Sequence, residues 1–415
     1  MLYGQAWPMG TMMCCCALPR RRGRGRMIGR RLHVPPLSGH LSVSTYWVSN
    51  CALVCRAWPS ICRPIIFEKL RFQHCDIKKY YRFRLRFDSA PHLHPLVREV
   101  MIRDNSRVGS TAVEVLLSII IRCLPALRSF IWQNPIYANG YHRFFSNPNF
   151  RLPTITTLDL IGPVPRNLSG LFVNLHLFTN LKTLKIFNLG WMDSRGPRDA
   201  GLRRRGLSIM RRLPNISRLY LATRHVWDID RDLKGGFAEL DAYEGIFEML
   251  CNTLEHLDIN FGTFCFFTHP KIESHAMERK VLNVPNVTIL DIYMRSSSMY
   301  SEEPQLPYSV QISYIPKFLR AVFAPGLRII TLHFSCSEMF KSAQSLPEFI
   351  EHLHQINHDL TLIVQSSHFP LLQSIRVDVY CIPAWYSWWK SQILWCFPLL
   401  VELGLMELMI VPTLE

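Results

Sequence analysis

The clearest metal-binding pattern in the sequence lies in the segment Leu346–His358. Glu351, His354 and His358 are three and four residues apart, so in a helix their carboxylate and imidazole groups share one face and could bind a transition metal. An ordinary amphipathic helix explains the same spacing, because the opposite positions are apolar. Those positions are Phe349, Ile350, Leu353 and Ile356. The sequence therefore favours a surface helix and predicts no metal site.

The common catalytic and nucleotide-binding signatures are missing from the chain. It contains no G-x-S-x-G, no H-E-x-x-H, no G-x-G-x-x-G and no G-x-x-x-x-G-K-[ST] segment. Such segments supply a nucleophile, a zinc site or backbone amides that hold phosphate groups. The sequence therefore predicts a protein that is not an enzyme and that has no cofactor.

The positive charge of the chain is concentrated near its N-terminus. The formal net charge is +16, and residues 1–67 contribute nine arginines with no lysine and no acidic residue. Such a segment can attract nucleic acid or anionic lipid, but this one lacks interleaved aromatic residues for base stacking. We expect residues 1–49 to be a disordered basic segment, or the product of a wrong exon boundary. Neither nucleic acid nor a membrane is an expected partner.

The cysteines and the apolar runs indicate the compartment. The thirteen cysteines are scattered without the spacing of a zinc site or a disulfide framework, which favours reduced thiols. No run reaches the roughly 20 apolar residues that a membrane-spanning helix needs. We therefore expect a cytoplasmic or nuclear protein.

A nine-residue phrase recurs along most of the chain and must position any functional side chains. It is apolar–Pro–x–apolar–x–x–apolar–x–apolar, as in Leu124–Trp132. The proline position of ten aligned units holds Pro95, Pro125, Pro153, Thr179, Pro214, Asn252, Pro285, Pro325, Pro370 and Pro398. Self-similarity of this kind is the signature of a repeat architecture.

Each phrase predicts a β-strand. The positions five and seven residues after the proline are apolar in all ten units, and they share one face of a strand. Between the phrases, several segments carry apolar residues at helical spacing. They are Thr111–Cys123, Phe237–Cys251, Leu346–His358 and Ala384–Phe397. Strands that alternate with helices predict an α/β fold with parallel strands and helices on one side.

The L-x-x-L-x-L pattern inside the phrase resembles leucine-rich repeats. The resemblance covers roughly residues 92–411 and implies a solenoid of about ten units over residues 76–415. In that family, parallel strands line the concave face and helices lie outside. The asparagine that the family carries three residues after the last leucine occurs in register once, as Asn105. We therefore expect an irregular leucine-rich-repeat solenoid.

A second resemblance lies near the N-terminus. Residues 51–58 are Cys-Ala-Leu-Val-Cys-Arg-Ala-Trp and residues 64–72 are Pro-Ile-Ile-Phe-Glu-Lys-Leu-Arg-Phe. These segments resemble the second half of an F-box, as found in fungal F-box/leucine-rich-repeat proteins. The resemblance implies a partial helical module at residues 50–75 that docks on the Skp adaptor of a cullin ubiquitin ligase. The matching adaptor-side positions are Leu53, Val54, Cys55 and Trp58.

Together the two resemblances imply a substrate receptor of an SCF-type ubiquitin ligase, with the repeats binding a substrate protein. The first half of the F-box, Leu-Pro-x-Glu and an amphipathic helix, has no counterpart in residues 1–49. A leucine-rich-repeat scaffold with a degenerate F-box and no ligase contact is therefore the alternative. A third hypothesis is nucleic-acid binding through the basic N-terminus. Side chains predicted to contact the substrate, on the strands' outward face, are Asp159, Lys185, Tyr220, Asp258, Asp291, Tyr293 and Arg376.

Overall fold

One long parallel sheet organises the protein. The computed structural model describes residues 65–73, 85, 87–103, 123–133, 151–163, 175–189, 214–223, 243–260, 282–294, 308–335 and 345–412. The main sheet has eleven strands, which lie side by side in chain order, and every neighbouring pair is parallel. Its strands are β1 (Lys69–Gln73), β2 (Glu99–Arg103), β3 (Ser129–Gln133), β4 (Thr157–Ile161), β5 (Thr183–Leu189), β6 (Arg218–Thr223), β7 (His256–Asn260), β9 (Ile289–Met294), β11 (Ile329–Ser335), β12 (Ser374–Cys381) and β13 (Met406–Pro412). Two short strands, β8 (Leu282–Asn283) and β10 (Val322–Phe323), pair with each other.

Helices cover one side of this sheet, because their apolar side chains share a single core with the strands. They are α1 (Tyr308–Ala321), α2 (Ser345–Gln365), α3 (Tyr386–Cys396) and α4 (Pro398–Glu402), and residues 243–250 are also helical. Short 3-10 helices span Pro91–Leu96, Leu175–Leu177 and Pro383–Trp385. No helix in the described ranges is long and apolar enough to cross a membrane. The predicted α/β class with a solenoid-like succession of parallel strands is confirmed.

The recurring phrase begins with a β-turn. The N–H of Leu127 donates to the carbonyl of Leu124 at 3.2 Å, and the N–H of Leu327 donates to the carbonyl of Ala324 at 3.0 Å. The second residue of such a turn prefers a φ of about −65°, which the proline ring imposes. The proline of the phrase therefore shapes the turn that leads the chain into each strand.

A shared acceptor aligns each strand with the next. The carbonyl of Arg98, just before β2, accepts hydrogen bonds from the N–H groups of Arg128 and Ser129 at 2.8 and 3.0 Å. The same double acceptance recurs at the entry to each strand of the main sheet from β2 to β12. The accepting carbonyls, which we term the carbonyl ladder, are those of Glu68, Arg98, Arg128, Thr156, Lys182, Ser217, Glu255, Thr288 and Arg328. Each link in the ladder sets where the following strand starts.

The predicted core positions are buried in the first nine units. Residues two, five and seven positions after the proline are all buried, except the partly buried Leu372. Helix residues such as Phe247, Phe318 and Trp389 pack into the same core. The period-two alternation of the phrase thus correctly predicted which side of the sheet is covered.

The tenth unit does not follow the predicted register. Leu403 was expected in the strand and in the core, but its side chain is 44% exposed. Pro398–Glu402 forms α4, Gly404 turns the chain with a φ of 68°, and β13 starts only at Met406. Met406 therefore occupies the place opposite Ile375 that Leu403 was expected to fill.

The first strand of the sheet lies inside the segment for which a helical module was expected. Lys69–Gln73 forms β1 and pairs with β2, and Leu70 and Phe72 pack against the core. In the described residues the sheet therefore begins at Lys69, inside the segment assigned to that module. Most of residues 50–75, and the predicted helix Thr111–Cys123 apart from its last residue, lie outside the described residues.

Replacing Leu257 with alanine should destabilise the protein strongly. Leu257 is fully buried on β7, so the substitution removes buried methyl groups and leaves a cavity. We expect the free energy of unfolding to fall by about 2–5 kcal/mol. Denaturant unfolding followed by circular dichroism measures this loss.

The matched control is Leu362→Ala on α2, where the leucine is 48% exposed. Its effect should stay within about 0.5 kcal/mol, as for most surface substitutions. Equal losses for both variants would contradict the assignment of the core.

Candidate partner-binding face

The side of the sheet opposite the hydrophobic core carries aligned rows of side chains, and we term it the outward face. In one row, the side chains of β4 to β13 lie opposite one another in strict register. This row contains Asp159, Lys185, Tyr220, Asp258, Asp291, Thr331, Arg376 and Glu407. Six of the seven residues predicted to contact a substrate are members of it. The seventh, Tyr293, lies in the next row, between Asn260 and His333.

Ion pairs lie at both ends of this row. Lys185 Nζ is 3.7 Å from Asp159 Oδ2, and Arg376 Nη2 is 3.3 Å from Glu407 Oε2. Burial raises the pKa of the Asp159 carboxyl, and the neighbouring Lys185 opposes that shift. The lysine and the arginine keep about a third of their side-chain surface exposed, at 38% and 34%. Both cations are therefore accessible to a partner.

The middle of the face holds a bidentate ion pair. Arg218 Nε donates to Asp258 Oδ2 at 2.6 Å, and Arg218 Nη2 donates to Asp258 Oδ1 at 2.8 Å. Asp258 is only 1% exposed, whereas the arginine side chain is 43% exposed. The hydrogen bonds to Asp258 raise the pKa of the guanidinium. The carboxylate is thus held in place by a cation whose outer side reaches solvent.

Two histidines extend this pair across the sheet. His256 Nε2 donates to Asp291 Oδ2 at 2.7 Å and lies 3.5 Å from Asp258 Oδ1. His333 lies between two carboxylates, with Nε2 3.6 Å from Asp291 Oδ1 and Nδ1 3.3 Å from Asp378 Oδ2. Basic and acidic groups therefore alternate from β6 to β12. We term the set Arg218, His256, Asp258, Asp291, His333 and Asp378 the polar network.

The carboxylates of the polar network have different electrostatic surroundings. Burial acts to raise the pKa of Asp291, but hydrogen bonds from His256 and Thr331 outweigh it and place the pKa well below the usual range. Burial raises the pKa of Asp378, and the attraction of His333 only partly opposes it. Asp291 is therefore a strongly stabilised anion at the centre of the set.

Aromatic rings lie beside the polar network. Phe187 and Tyr220 have ring centroids 4.7 Å apart, and Tyr220 and Tyr293 are 5.8 Å apart. Tyr293 stacks on His333 at 4.1 Å with the planes nearly parallel, and His333 is 6.0 Å from the ring of Tyr380. Burial, then Asp258 and Asp291, raises the pKa of Tyr293, so its hydroxyl stays protonated. These rings form a continuous aromatic row across β5 to β12.

Sequence reasoning selected only part of this arrangement. Arg218 and His256 lie one alternation step before Tyr220 and Asp258, and Tyr380 lies two steps beyond Arg376. Extending the period-two pattern by one step before and two steps after the chosen positions would have found all three. Asp258 and Asp291 are 1% and 8% exposed, so they orient their neighbours and offer little surface to a partner.

Other predicted site residues lie apart from this face. Leu53, Val54, Cys55 and Trp58 are outside the described residues. On α2, Glu351, His354 and His358 are exposed, and the ring of His354 stacks on Trp395 at 4.7 Å. In the described part of the chain, potential metal ligands converge instead at His256, Asp258 and Asp291, on the outward face.

The fold and this face define an α/β protein with one parallel sheet built from repeated strand units. The face of that sheet opposite the core carries polar and aromatic side chains. No family model matches the chain. No curated protein is significantly similar to it. Its function must therefore be inferred from the sheet and its side chains.

Removing Arg218 should cost stability, because Asp258 would remain buried without its cation. We expect Arg218→Met to lower the free energy of unfolding by about 1–3 kcal/mol, the range for an unsatisfied buried group, since the arginine itself is partly exposed. Denaturant unfolding measures the change. Adding Asp258→Leu to the variant should recover part of the loss, because an apolar pair replaces the ion pair.

The control is Arg320→Met, which breaks the pair of Arg320 with Asp359 at 2.8 Å. Both of those side chains are nearly half exposed, at 45% and 47%, so the loss should stay below about 1 kcal/mol. A loss as large as that of Arg218→Met would show that burial of Asp258 is not the cause.

Proposed function

We propose that this chain is a non-enzymatic protein-interaction protein that receives a partner protein on its outward face. The observation that carries the proposal is the continuous aromatic row from Phe187 to Tyr380, flanked by the accessible cations Lys185 and Arg376. Tyrosine and arginine are enriched at protein interfaces, where large rings supply contact area and guanidinium groups supply hydrogen bonds.

The rigidity of the face supports this role. Tyr293 is stacked on His333, and its hydroxyl donates to Asp258 Oδ1 at 3.4 Å. His333 is in turn held by Asp378. A partner that binds such a surface orders few side chains, so less conformational entropy is lost on binding.

We further propose that the sheet is a leucine-rich-repeat-type solenoid. Three features favour that architecture: the turn before each strand, the strict chain order of the parallel strands, and helices on the covered side. In such solenoids each unit contacts only its neighbours, and the open strand face is the usual binding surface.

The proposed cellular role is substrate receptor of an SCF-type ubiquitin ligase. Its support is the resemblance of residues 51–72 to the second half of an F-box. Residues 69–72 of that segment belong to β1, at one end of the sheet, so an adaptor bound through the segment would leave the central outward face open to a substrate protein. The alternative role is a repeat scaffold that binds its partner without any ligase, and the missing first half of the F-box favours it.

Binding to the Skp adaptor separates these two roles. If the receptor role holds, the full chain binds purified Skp adaptor, and Trp58→Ala weakens the binding by at least about tenfold, as for an aromatic anchor at an interface. Surface plasmon resonance measures both affinities. The control is Tyr220→Ala, which should leave adaptor binding unchanged. No binding by the wild-type chain would leave the scaffold role.

The partner-binding face has its own test, which does not involve the ligase. A photo-crosslinking amino acid at position 220 should capture a discrete protein partner in cells, because Tyr220 lies in the aromatic row. The same group at position 362, on the exposed side of α2, should capture none. Tyr293→Ala should abolish the adduct at position 220. Equal adducts at both positions would contradict binding on the outward face.

A further inference from the structure

The convergence of ligand atoms on the outward face points to a metal site. His256, Asp258 and Asp291 each place one ligand atom within 4.8 Å of the other two. We propose that this cluster, with His333 as the fourth ligand, binds one Zn²⁺ ion. The site is independent of the partner-binding function proposed above.

The separations of these atoms suit zinc. A tetrahedral site with zinc–ligand bonds of about 2.0–2.2 Å holds its ligand atoms about 3.3–3.6 Å apart. His256 Nε2 is 3.5 Å from Asp258 Oδ1, and His333 Nε2 is 3.6 Å from Asp291 Oδ1. His256 Nε2 and Asp291 Oδ2, now 2.7 Å apart through a shared proton, would open slightly when the metal replaces that proton.

His333 provides an independent indication of a ligand. It is 7% exposed, and its Nε2 atom has no hydrogen-bond partner among the described residues. The carboxylate of Asp378 can only accept a hydrogen bond, so the ring proton belongs on Nδ1, 3.3 Å away. The hydroxyl oxygen of Tyr380, 3.3 Å from the same nitrogen, can share that proton as a second acceptor.

When the ring carries a single proton, on Nδ1, His333 directs the lone pair of Nε2 at Asp291. Two acceptors, Nε2 and the carboxylate oxygen Oδ1, then face each other at 3.6 Å with no hydrogen between them. Such an arrangement is unfavourable in a buried position unless a metal ion or a second ring proton lies between the two atoms. A metal ion at this point would satisfy both.

The charge of the polar network favours a divalent cation. Its three carboxylates and one guanidinium sum to −2 when both imidazoles are neutral. The adjacent Arg376 does not alter that sum, since it is paired with Glu407. One Zn²⁺ ion brings the set to neutrality, which matters because Asp258, Asp291 and Asp378 are all less than 10% exposed.

The donor types select the metal. Two imidazole nitrogens with carboxylate oxygens suit zinc and its neighbours, whereas magnesium and calcium prefer oxygen ligands alone. The contact of Asp378 with Nδ1 of His333 matches the outer carboxylate that usually orients a zinc-bound histidine. Arg218 holds Asp258 in the same way. His256 is 20% exposed on its side chain, which gives the ion a route from solvent.

Titration of the reduced full-length chain with Zn²⁺, in competition with a chromogenic chelator, tests the site. His256→Gln and His333→Gln should each weaken the binding of one Zn²⁺ equivalent by at least about tenfold. Mutation of a residue that only supports a metal ligand already lowers metal affinity by that factor. The matched control is His354→Gln on α2, which should change nothing. Asp378→Asn, which keeps the side-chain shape, should lower the affinity for the same Zn²⁺ equivalent, although Asp378 is not a ligand.

Two further measurements decide the outcome. Circular dichroism establishes that each variant is folded, and if a histidine variant is not, the comparison of Asp378→Asn with the wild-type chain decides alone. Replacing Zn²⁺ with Co²⁺ reports the donors, because cysteine thiolates give an intense charge-transfer band that histidine and carboxylate ligands do not. Unchanged zinc affinity in the folded variants would show that the cluster is an ion-pair network only. A thiolate band from the Co²⁺ ion that the variants fail to bind would show the same.

Discussion

The carbonyl ladder is the interaction on which the rest of the structure depends. Each ladder carbonyl holds two N–H groups of the following strand, so a strand cannot slip along its neighbour without losing both bonds. Because side chains alternate between the two sides of a sheet, a slip of one residue would exchange the core for the surface. The ladder therefore fixes, unit after unit, which residues are buried and which meet in rows.

Strict register has a chemical result on the outward face. Side chains on adjacent parallel strands lie about 4.8 Å apart, so groups at equivalent places in successive units must interact with one another. Asp159 and Lys185 occupy equivalent places on neighbouring strands and form an ion pair, as do His333 and Asp378. Arg218 and Asp258 lie one alternation step apart on neighbouring strands and form a bidentate pair, and the cluster of His256, Asp258 and Asp291 results from the same alignment.

Much of the fold could be predicted from the sequence, because the apolar alternation of the phrase reports burial directly. The prediction failed where local chain geometry overrides that alternation. Around Leu403, a proline-initiated helix and the positive φ of Gly404 shift the last strand by three residues. The strand β1 was missed because Ile65 stands at the proline position of its copy of the phrase, although Phe67, Leu70 and Phe72 fill the apolar positions. The site was harder to predict. The phrase identifies which residues share a row across the strands, but it does not give the direction of their side chains. Contacts such as that of His333 with Asp378 depend on that direction.

The connection of β6 to β12 by the polar network has a consequence for cooperativity. A repeat protein in which each unit contacts only its neighbours can open from its ends, one unit at a time. Here Arg218, Asp258, Asp291 and Asp378 belong to four different strands, and the two histidines couple them in series. Opening any one of these strands breaks contacts on both of its sides. The central units should therefore unfold as a block, and amide hydrogen exchange in β7 and β9 should be slower than in the terminal strands β1 and β13.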